Sequence, residues 1–157
     1  MQKIDAALFE EVAQKAAASP RRRMNHNFHS GPEDNPHRFL NVLLEGTYVR
    51  PHRHLDPPKS EAFLVLEGEA AVVCFDDGGR VTSSVRIGPA AGAIGIDLEP
   101  GIFHTVVALS PRAVCYEVKP GPWNPANDKD FAAWAPREGT PEAAAYVEHL
   151  AAELARS

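Results

Sequence analysis

Two histidines separated by a single residue, His52 and His54, lie in a segment of the chain that begins and ends with a glycine. Written as spacing, the segment reads Gly46-x5-His52-x-His54-x6-Glu61-x6-Gly68. Side chains alternate along a strand, so the two imidazoles share one face if the segment is extended. Glycine allows the tight reversals that join neighbouring strands. The pattern therefore favours short, tightly turned strands that bring histidines together on one face.

A third histidine, His104, follows a predicted turn at Pro100-Gly101 and begins another predicted strand. Neutral imidazoles on one face, with a carboxylate such as Glu61 in reach, form a site for a borderline divalent metal. We expect one divalent ion per chain at His52, His54, Glu61 and His104. Zinc is the ion expected in purified protein, and iron, nickel or manganese suits the same donors. Glu61 has an alternative role, in which it only fixes the tautomer of one imidazole.

The spacing of these residues resembles the two-part sequence signature of the cupin superfamily. The metal-ligand positions of that signature fall on the four residues named above, and its turn glycines fall on Gly46, Gly68 and Gly101. The chain departs from the signature in three places: the spacer between His54 and Glu61 is longer, Pro100 and Gly101 are adjacent, and Ala108 replaces an asparagine.

A larger set of segments resembles the WbuC-type cupins, small bacterial metal-binding proteins of which some are associated with surface-polysaccharide and sugar-nucleotide pathways. The resemblance runs from about Ser19 to Pro136 and includes Ser19-Pro-Arg-Arg-Arg23, Asn27-x-His29, Val65-Leu-Glu-Gly68, Phe103-His-Thr-Val106 and Asp130-Phe-Ala-x-Trp-Ala-Pro136. It implies a small cupin β-barrel of the jelly-roll type that holds a metal. The resemblance does not imply a particular reaction.

Hydrophobic periodicity predicts helices only near the two ends of the chain. Residues 5–18 place apolar side chains at helical spacing. In a C-terminal tail, residues 127–156, a short helix is predicted at Lys129–Trp134, and a longer one follows Thr140 as its cap. With the strands described next, we predict an all-β fold with an N-terminal and a C-terminal α-helix, in one domain of residues 1–157.

Residues 23–120 consist of short β-type runs separated by turn signals, which is typical of a sandwich or a small barrel. An Asp-Asp-Gly-Gly sequence at residues 76–79 predicts a hairpin. The predicted strands are Arg23–His29, Phe39–Glu45, Thr47–His54, Glu61–Glu67, Ala70–Phe75, Val81–Ile87, Ile94–Leu98, Phe103–Leu109 and Ala113–Lys119.

Composition narrows the partners that we expect. The net charge of −5 argues against a nucleic-acid surface, and no apolar stretch reaches the length of a membrane span. Residues 1–18 lack the apolar core of a signal peptide. Cys74 and Cys115 each lie in an apolar run, as reduced core residues do. We therefore expect a cytoplasmic protein without nucleic-acid or membrane partners.

Polar residues near the predicted metal site are candidates for binding a small molecule. Strand alternation places Arg23, Asn27 and His29 on one face, where Arg23 and Asn27 would bind a substrate oxygen or, alternatively, lie at the rim of an intersubunit sheet. Arg50, next to the histidines, is a third candidate, and its basic neighbours Arg53 and Lys59 suggest an anionic or sugar ligand. An ordinary solvated rim explains the same charges.

Two classes of function remain open from the sequence. In the first, the metal serves an enzyme, either an isomerase or epimerase acting on a sugar or sugar-nucleotide, or an Fe(II) dioxygenase. In the second, the protein is a non-catalytic module that binds a small molecule or senses a metal. An acid or base that is not itself a ligand would separate these classes, and the candidates are His29 and Glu117. We also expect a homodimer, because an N-terminal strand outside the motifs leaves a sheet edge to be covered.

Overall fold

The structure, a computed structural model, describes residues 1–156. It confirms a mostly β architecture with a helix near each end. The elements, in chain order, are α1 (Ala6–Ala18), β1 (Arg23–Asn27), β2 (His37–Leu44), β3 (His52–Arg53), β4 (Glu61–Glu67), β5 (Ala70–Phe75), β6 (Val81–Ile87), β7 (Gly95–Leu98), β8 (Phe103–Ala108), β9 (Arg112–Lys119), β10 (Asp130–Phe131) and α2 (Pro141–Leu154).

The strands form two five-stranded sheets whose neighbouring strands are all antiparallel. The strand order is β1-β2-β9-β4-β7 in the first sheet, sheet A, and β10-β3-β8-β5-β6 in the second, sheet B. Within residues 1–156 no strand ladder joins the sheets, so they face each other as a sandwich and do not close into a continuous barrel.

Alternating side chains build four layers, in the order α1, sheet A, sheet B, α2. In β8, for example, Val106 and Ala108 pack between the sheets, whereas Phe103 and Val107 pack on the side of α2. On the outer side of sheet A, α1 buries Val12 and the small residues beside it. Burying one Val, Leu or Phe side chain contributes about 1.5–3 kcal/mol, so both helices are held mainly by these contacts.

Capping side chains define where the two helices begin. Asp5 accepts a hydrogen bond from the main-chain N–H of Leu8 at 3.1 Å, and Thr140 accepts one from Ala143 at 3.3 Å. Each cap satisfies an amide that the first turn leaves without a helical partner. Among residues 1–156, neither helix combines the length and the apolar character that crossing a membrane requires.

Two predicted elements differ in the structure. The helix predicted at Lys129–Trp134 is wrong: Asp130 and Phe131 instead form β10, which pairs with β3. An ion pair of 2.8 Å between Asp130 and Arg53 supports that pairing. The strand predicted over Thr47–His54 is reduced to His52–Arg53, because side chains bind the carbonyls before it: Arg23 donates to Tyr48, and Thr105 donates to Val49.

Candidate metal centre

Four buried side chains from both sheets meet at one end of the sandwich. His52 on β3 lies directly opposite His104 on β8, and His54 follows β3. Glu61 begins β4 in the facing sheet. At least one candidate ligand atom from each of these residues lies within 4.8 Å of the others. The structure thus brings together the four residues that the sequence motif singled out.

Main-chain carbonyls orient all three imidazoles in the same way. The Nδ1 atom of His52 donates to the carbonyl of Arg50 at 2.9 Å, and that of His104 donates to Ile102 at 2.9 Å. The Nδ1 atom of His54 donates to the carbonyl of Asp128. A carbonyl oxygen only accepts, so each Nδ1 carries a proton, and in the neutral form of each ring the Nε2 atom presents a lone pair to the cluster.

The carboxylate of Glu61 lies between two of these lone pairs. Its Oε2 is 2.9 Å from Nε2 of His104, and its Oε1 is 3.0 Å from Nε2 of His54. The Nε2 atom of His54 is buried and has no hydrogen bond of acceptable geometry within the described chain. Two electron-pair donors this close require a proton or a cation between them. An orphaned nitrogen facing a carboxylate therefore fits a divalent metal.

Electrostatics at the cluster favour the forms that bind a metal. Burial lowers the pKa of His52 well below its ordinary value, so its imidazole is neutral. Burial opposes ionisation of Glu61, but the adjacent side chains of His104 and His54 and the charge of Lys119 outweigh it and hold the pKa of Glu61 well below the usual range. The set is thus a carboxylate with three imidazoles, a donor combination suited to zinc, iron, nickel or manganese.

A buried network of charges supports the cluster from the segment that follows β9. Asp128 is paired with Lys59 at 3.3 Å and with Lys119 at 3.2 Å, and Lys119 also lies 3.4 Å from Glu61. All four side chains are at most 7% exposed. Lys59 was expected either to attract an anion or to lie at a solvated rim. Instead it neutralises the buried carboxylate of Asp128, whose main-chain carbonyl accepts the hydrogen bond from His54.

A cavity of about 820 Å³ opens beside the cluster. Every residue that the sequence nominated for the site, except His54 and Arg50, lines it: His52, Glu61, His104, Arg23, Asn27, His29 and Glu117. The volume is within the range of small-molecule sites.

The two candidates for acid–base chemistry occupy different depths of this cavity. Glu117 on β9 is buried, and its Oε2 accepts a hydrogen bond from Nδ2 of Asn41 at 3.3 Å. Burial and the neighbouring charge of Glu61 raise the pKa of Glu117 to about 8. His29 lies further out, with its ring stacked on His37 at 4.0 Å between centroids. Glu117 is therefore the closer match to an internal acid or base.

Both arginines nominated for substrate binding are engaged within the protein. Arg23 is paired with Glu138 at 2.7 Å and donates to the carbonyl of Tyr48 at 2.7 Å. Arg50 donates to the carbonyl of Ala132 at 2.8 Å and lies over the ring of Phe131. Arg50 does not line the cavity, and the guanidinium of Arg23 has protein acceptors already.

Other polar residues line the cavity without having been nominated from the sequence, among them Asn25, Asn41 and Lys129. Asn41 could have been found, because it is the one polar residue in the apolar run Phe39–Leu44. Lys129 carried no such signal, since its segment was predicted to be helical. Lys129 is exposed where it lines the cavity.

Comparison with known proteins identifies a family for the first half of the chain. The sequence model described as Domain of unknown function (DUF6016) matches residues 4–87, just over half of the chain. The match runs from α1 through β6 and includes His52, His54 and Glu61. A comparison with curated protein sequences finds no match.

Solved structures share the fold at low sequence identity. L-ribose isomerase of Cellulomonas parahominis is 16% identical, with 86% of this chain and 95% of the isomerase covered and a TM-score of 0.59. The protein TT1209 of Thermus thermophilus is 18% identical, with coverage of 77% and 98% and a TM-score of 0.55.

The capsular polysaccharide assembling protein CapF of Staphylococcus aureus is also 18% identical, over 72% of this chain, with a TM-score of 0.55. This chain spans 32% of the length of CapF, so it corresponds to one part of that protein. At such identities the likeness concerns the fold, which is cupin-like. From its sequence match, the chain belongs to the family of the domain of unknown function DUF6016.

Proposed function

We propose that the protein is a metal-dependent cupin enzyme of the isomerase or epimerase type, acting on a sugar or sugar-nucleotide. The observation that carries the proposal is the position of Glu117. It is a buried carboxyl group that lines the same cavity as the candidate metal ligands without belonging to their cluster. A protein that only binds a metal or a ligand has no need of such a group, whereas proton transfer requires one.

The metal would be held by His52, His54 and His104, with Glu61 as the fourth ligand. When bound there, a divalent ion would polarise a carbonyl oxygen of the substrate. The chain itself supplies rigid support, because carbonyls fix each imidazole and Lys119 lies beside Glu61. Such support is what keeps ligands oriented in metal sites.

Glu117 would move the proton. Its carboxylate would take a proton from the hydroxyl-bearing carbon next to the substrate carbonyl and return it to the carbonyl carbon. The hydroxyl proton of the first carbon would pass to the former carbonyl oxygen, and the two transfers together interconvert an aldose and a ketose. Returning the proton to the opposite face of the same carbon inverts that centre. Asn41, which donates to Glu117 at 3.3 Å, would hold the carboxyl group in position. A pKa raised toward the working pH suits a group that must both accept and release a proton.

The sugar class is supported by the neighbours of this fold and by a sequence resemblance. One neighbour is an L-ribose isomerase solved with L-psicose, and another assembles capsular polysaccharide. The segments between Ser19 and Pro136 resemble WbuC-type cupins, and we include membership of that group in the proposal. We also propose a cytoplasmic homodimer, in keeping with the free thiols of Cys74 and Cys115 and the open edge of β1.

Solvent exchange tests this function. Metal-loaded protein is incubated in deuterium oxide with free pentoses, free hexoses and nucleotide sugars, and nuclear magnetic resonance follows deuterium entering next to the carbonyl. We expect exchange with wild type and its loss in Glu117→Gln, which keeps the shape of the side chain, with unchanged metal content. Saturable binding without exchange of any sugar would favour the non-catalytic alternative.

A further inference from the structure

The inner face of sheet A changes from apolar to polar where it reaches the cavity. On β2, Leu43 packs in the core between the sheets, and two residues earlier Asn41 lines the cavity. On β9, Cys115 packs in the same core and Glu117 lines the cavity. Because side chains alternate, these positions share one face of the sheet.

Strand β1 extends this polar surface by two more amides. Asn25 pairs with Asn41 across the β1–β2 ladder, and Asn27 lies two residues further along. Directly paired residues of antiparallel strands share a face, so Asn25 lies on the same side as Asn41, and Asn27, two residues along, lies there too. Both asparagines line the cavity.

These three amides have hydrogen-bonding capacity that the protein does not use. The Oδ1 atom of Asn41 is buried and has no partner within residues 1–156. The side chains of Asn25 and Asn27 make no hydrogen bond to the described part of the chain, although both are exposed to the cavity. A buried acceptor without a partner is destabilising, and native proteins retain few of them.

We infer that Asn25, Asn27 and Asn41 form a binding row for the hydroxyl groups of a polyhydroxylated substrate. The inference rests on the proposed function and assigns its substrate-binding residues. Each amide offers a donor and an acceptor, and a hydroxyl group offers both in return. The row adjoins Glu117 through Asn41, so a bound hydroxyl chain would lie alongside the acid–base group.

The three asparagines are uncharged, and the nearby Arg23 on β1 adds no free positive charge to them. Arg23 shares the cavity-facing side of β1, but its guanidinium is paired with Glu138. Lys129, which lines the cavity from the segment after β9, has no ion-pair partner among the described residues. Sugar phosphates therefore belong in the test beside free sugars, with Lys129→Met to report on any phosphate group.

Binding is measured by titration calorimetry on metal-loaded protein, with free aldopentoses, free ketohexoses including L-psicose, and their monophosphates. The variants are Asn25→Val, Asn27→Val and Asn41→Leu, and the matched control is Gln14→Leu, an exposed amide on α1. We expect each cavity variant to weaken sugar binding by about threefold to tenfold, as the loss of one hydrogen bond does. The control should bind as wild type does, and metal content should be equal throughout.

Thermal unfolding without sugar separates a binding role from a structural one. Asn41→Leu removes an acceptor that lacks a partner, but it also removes the hydrogen bond to the buried carboxyl group of Glu117, so we expect the melting temperature to change little or to fall. A lower melting temperature with unchanged sugar affinity would assign Asn41 a structural role and overturn the inference for it.

The remaining outcomes distinguish this inference from the proposed function. Wild type that binds none of the sugars overturns the inference. So does binding of phosphate esters alone that depends on Lys129 and is unaffected by the asparagine variants. Deuterium exchange that persists at wild-type affinity in all three variants overturns the inference and leaves the isomerase function standing. Binding lost in the variants, with no exchange in wild type, supports the row and overturns the isomerase function.

Discussion

The Nε2 atom of His54 lies 3.0 Å from Oε1 of Glu61. A neutral imidazole and an ionised carboxylate each offer an electron pair at these atoms. The proton of His54 is on its other nitrogen, where the carbonyl of Asp128 accepts it. Nothing in the described chain offers Nε2 a hydrogen bond of acceptable geometry. A divalent cation satisfies both atoms at once, and the first prediction follows from this.

Replacing His54 by alanine should release most of the bound metal, because one of three imidazole donors is lost. Glu61→Gln should weaken binding less, since a neutral oxygen donor remains. Metal content is measured by plasma mass spectrometry after dialysis against metal-free buffer. The control is His149→Ala on α2, whose side chain is 67% exposed. Equal loading of wild type and a His52→Ala, His54→Ala double variant would contradict the assignment.

The buried charges of Lys59, Lys119 and Asp128 should raise the metal affinity of the cluster, although we do not expect them to bind the metal. Asp128→Asn leaves Lys59 without its carboxylate and loosens the main chain that orients His54. We expect metal affinity to fall about 10- to 100-fold, as for other groups that orient a ligand. Stability should fall by about 3 kcal/mol or more, because a buried pair is broken. Chelator competition and urea unfolding measure the two effects.

Asp130→Asn is the matched control for that experiment. Asp130 is about half exposed and is paired with Arg53 at 2.8 Å, so its loss should cost less than about 1 kcal/mol. Equal metal affinities for the two variants would show that the network does not support the cluster.

Stability of the metal-free protein should depend on the protonation of Glu117. Its pKa is raised from an ordinary value of 4.5 to about 8. The folded state therefore holds this proton more tightly than the unfolded state does, and the resulting stability is lost as the pH rises from about 4.5 to about 8. The slope approaches about 1.4 kcal/mol per pH unit.

Glu117→Gln isolates this effect because glutamine does not titrate. His52 acts in the opposite direction. Burial lowers its pKa, so its contribution to stability is lost as the pH falls below the ordinary pKa of histidine, 6.5. The difference in the free energy of unfolding between wild type and Glu117→Gln, measured across this pH range, removes the contribution of His52. Parallel curves would show that Glu117 has an ordinary pKa.

Two turn glycines of the metal motif should tolerate substitution unequally. Gly46 and Gly68 both have a positive φ, of 77° and 75°. A Cβ at Gly46 would contact nothing within 4 Å, whereas one at Gly68 would lie 2.0 Å from the main-chain oxygen of Arg112. Gly46→Ala should cost about 1–2 kcal/mol for the left-handed backbone alone, and Gly68→Ala should cost clearly more. Urea unfolding measures both, and equal losses would contradict the steric argument.

We predict that two chains associate through an exposed sheet edge. Strand β1 ends sheet A on one side, and an uncovered edge is ordinarily paired or protected. Sedimentation at micromolar concentration should give a mass of roughly twice 17.0 kDa. Sedimentation as a monomer at that concentration would count against the dimer.

Local sequence patterns were sufficient for most of the strands and for the cluster of four. His52 and His104 were expected on inward-facing strand positions, and they lie opposite each other in sheet B. Turn glycines and period-two alternation are local signals, so they survive in the sequence. The helices at residues 6–18 and 141–154 were also readable, because their caps and apolar faces are local.

What the sequence did not disclose depends on contacts between distant segments. Lys59 and Asp128 are 69 residues apart, and nothing near either indicates a buried pair. Charged residues are ordinarily exposed, so Lys59 was expected at the surface or beside an anion. Likewise, β10 exists because Asp130 and Phe131 meet β3, a pairing that two residues of sequence do not encode.

The carbonyls that orient His52 and His104 belong to residues two positions earlier in the chain, Arg50 and Ile102. Every amino acid has a carbonyl, so mutation of either side chain leaves the acceptor in place. His54 is oriented by Asp128, 74 residues away. A mutation that shifts the main chain after β9 would therefore change the orientation of His54, and with it the candidate metal centre.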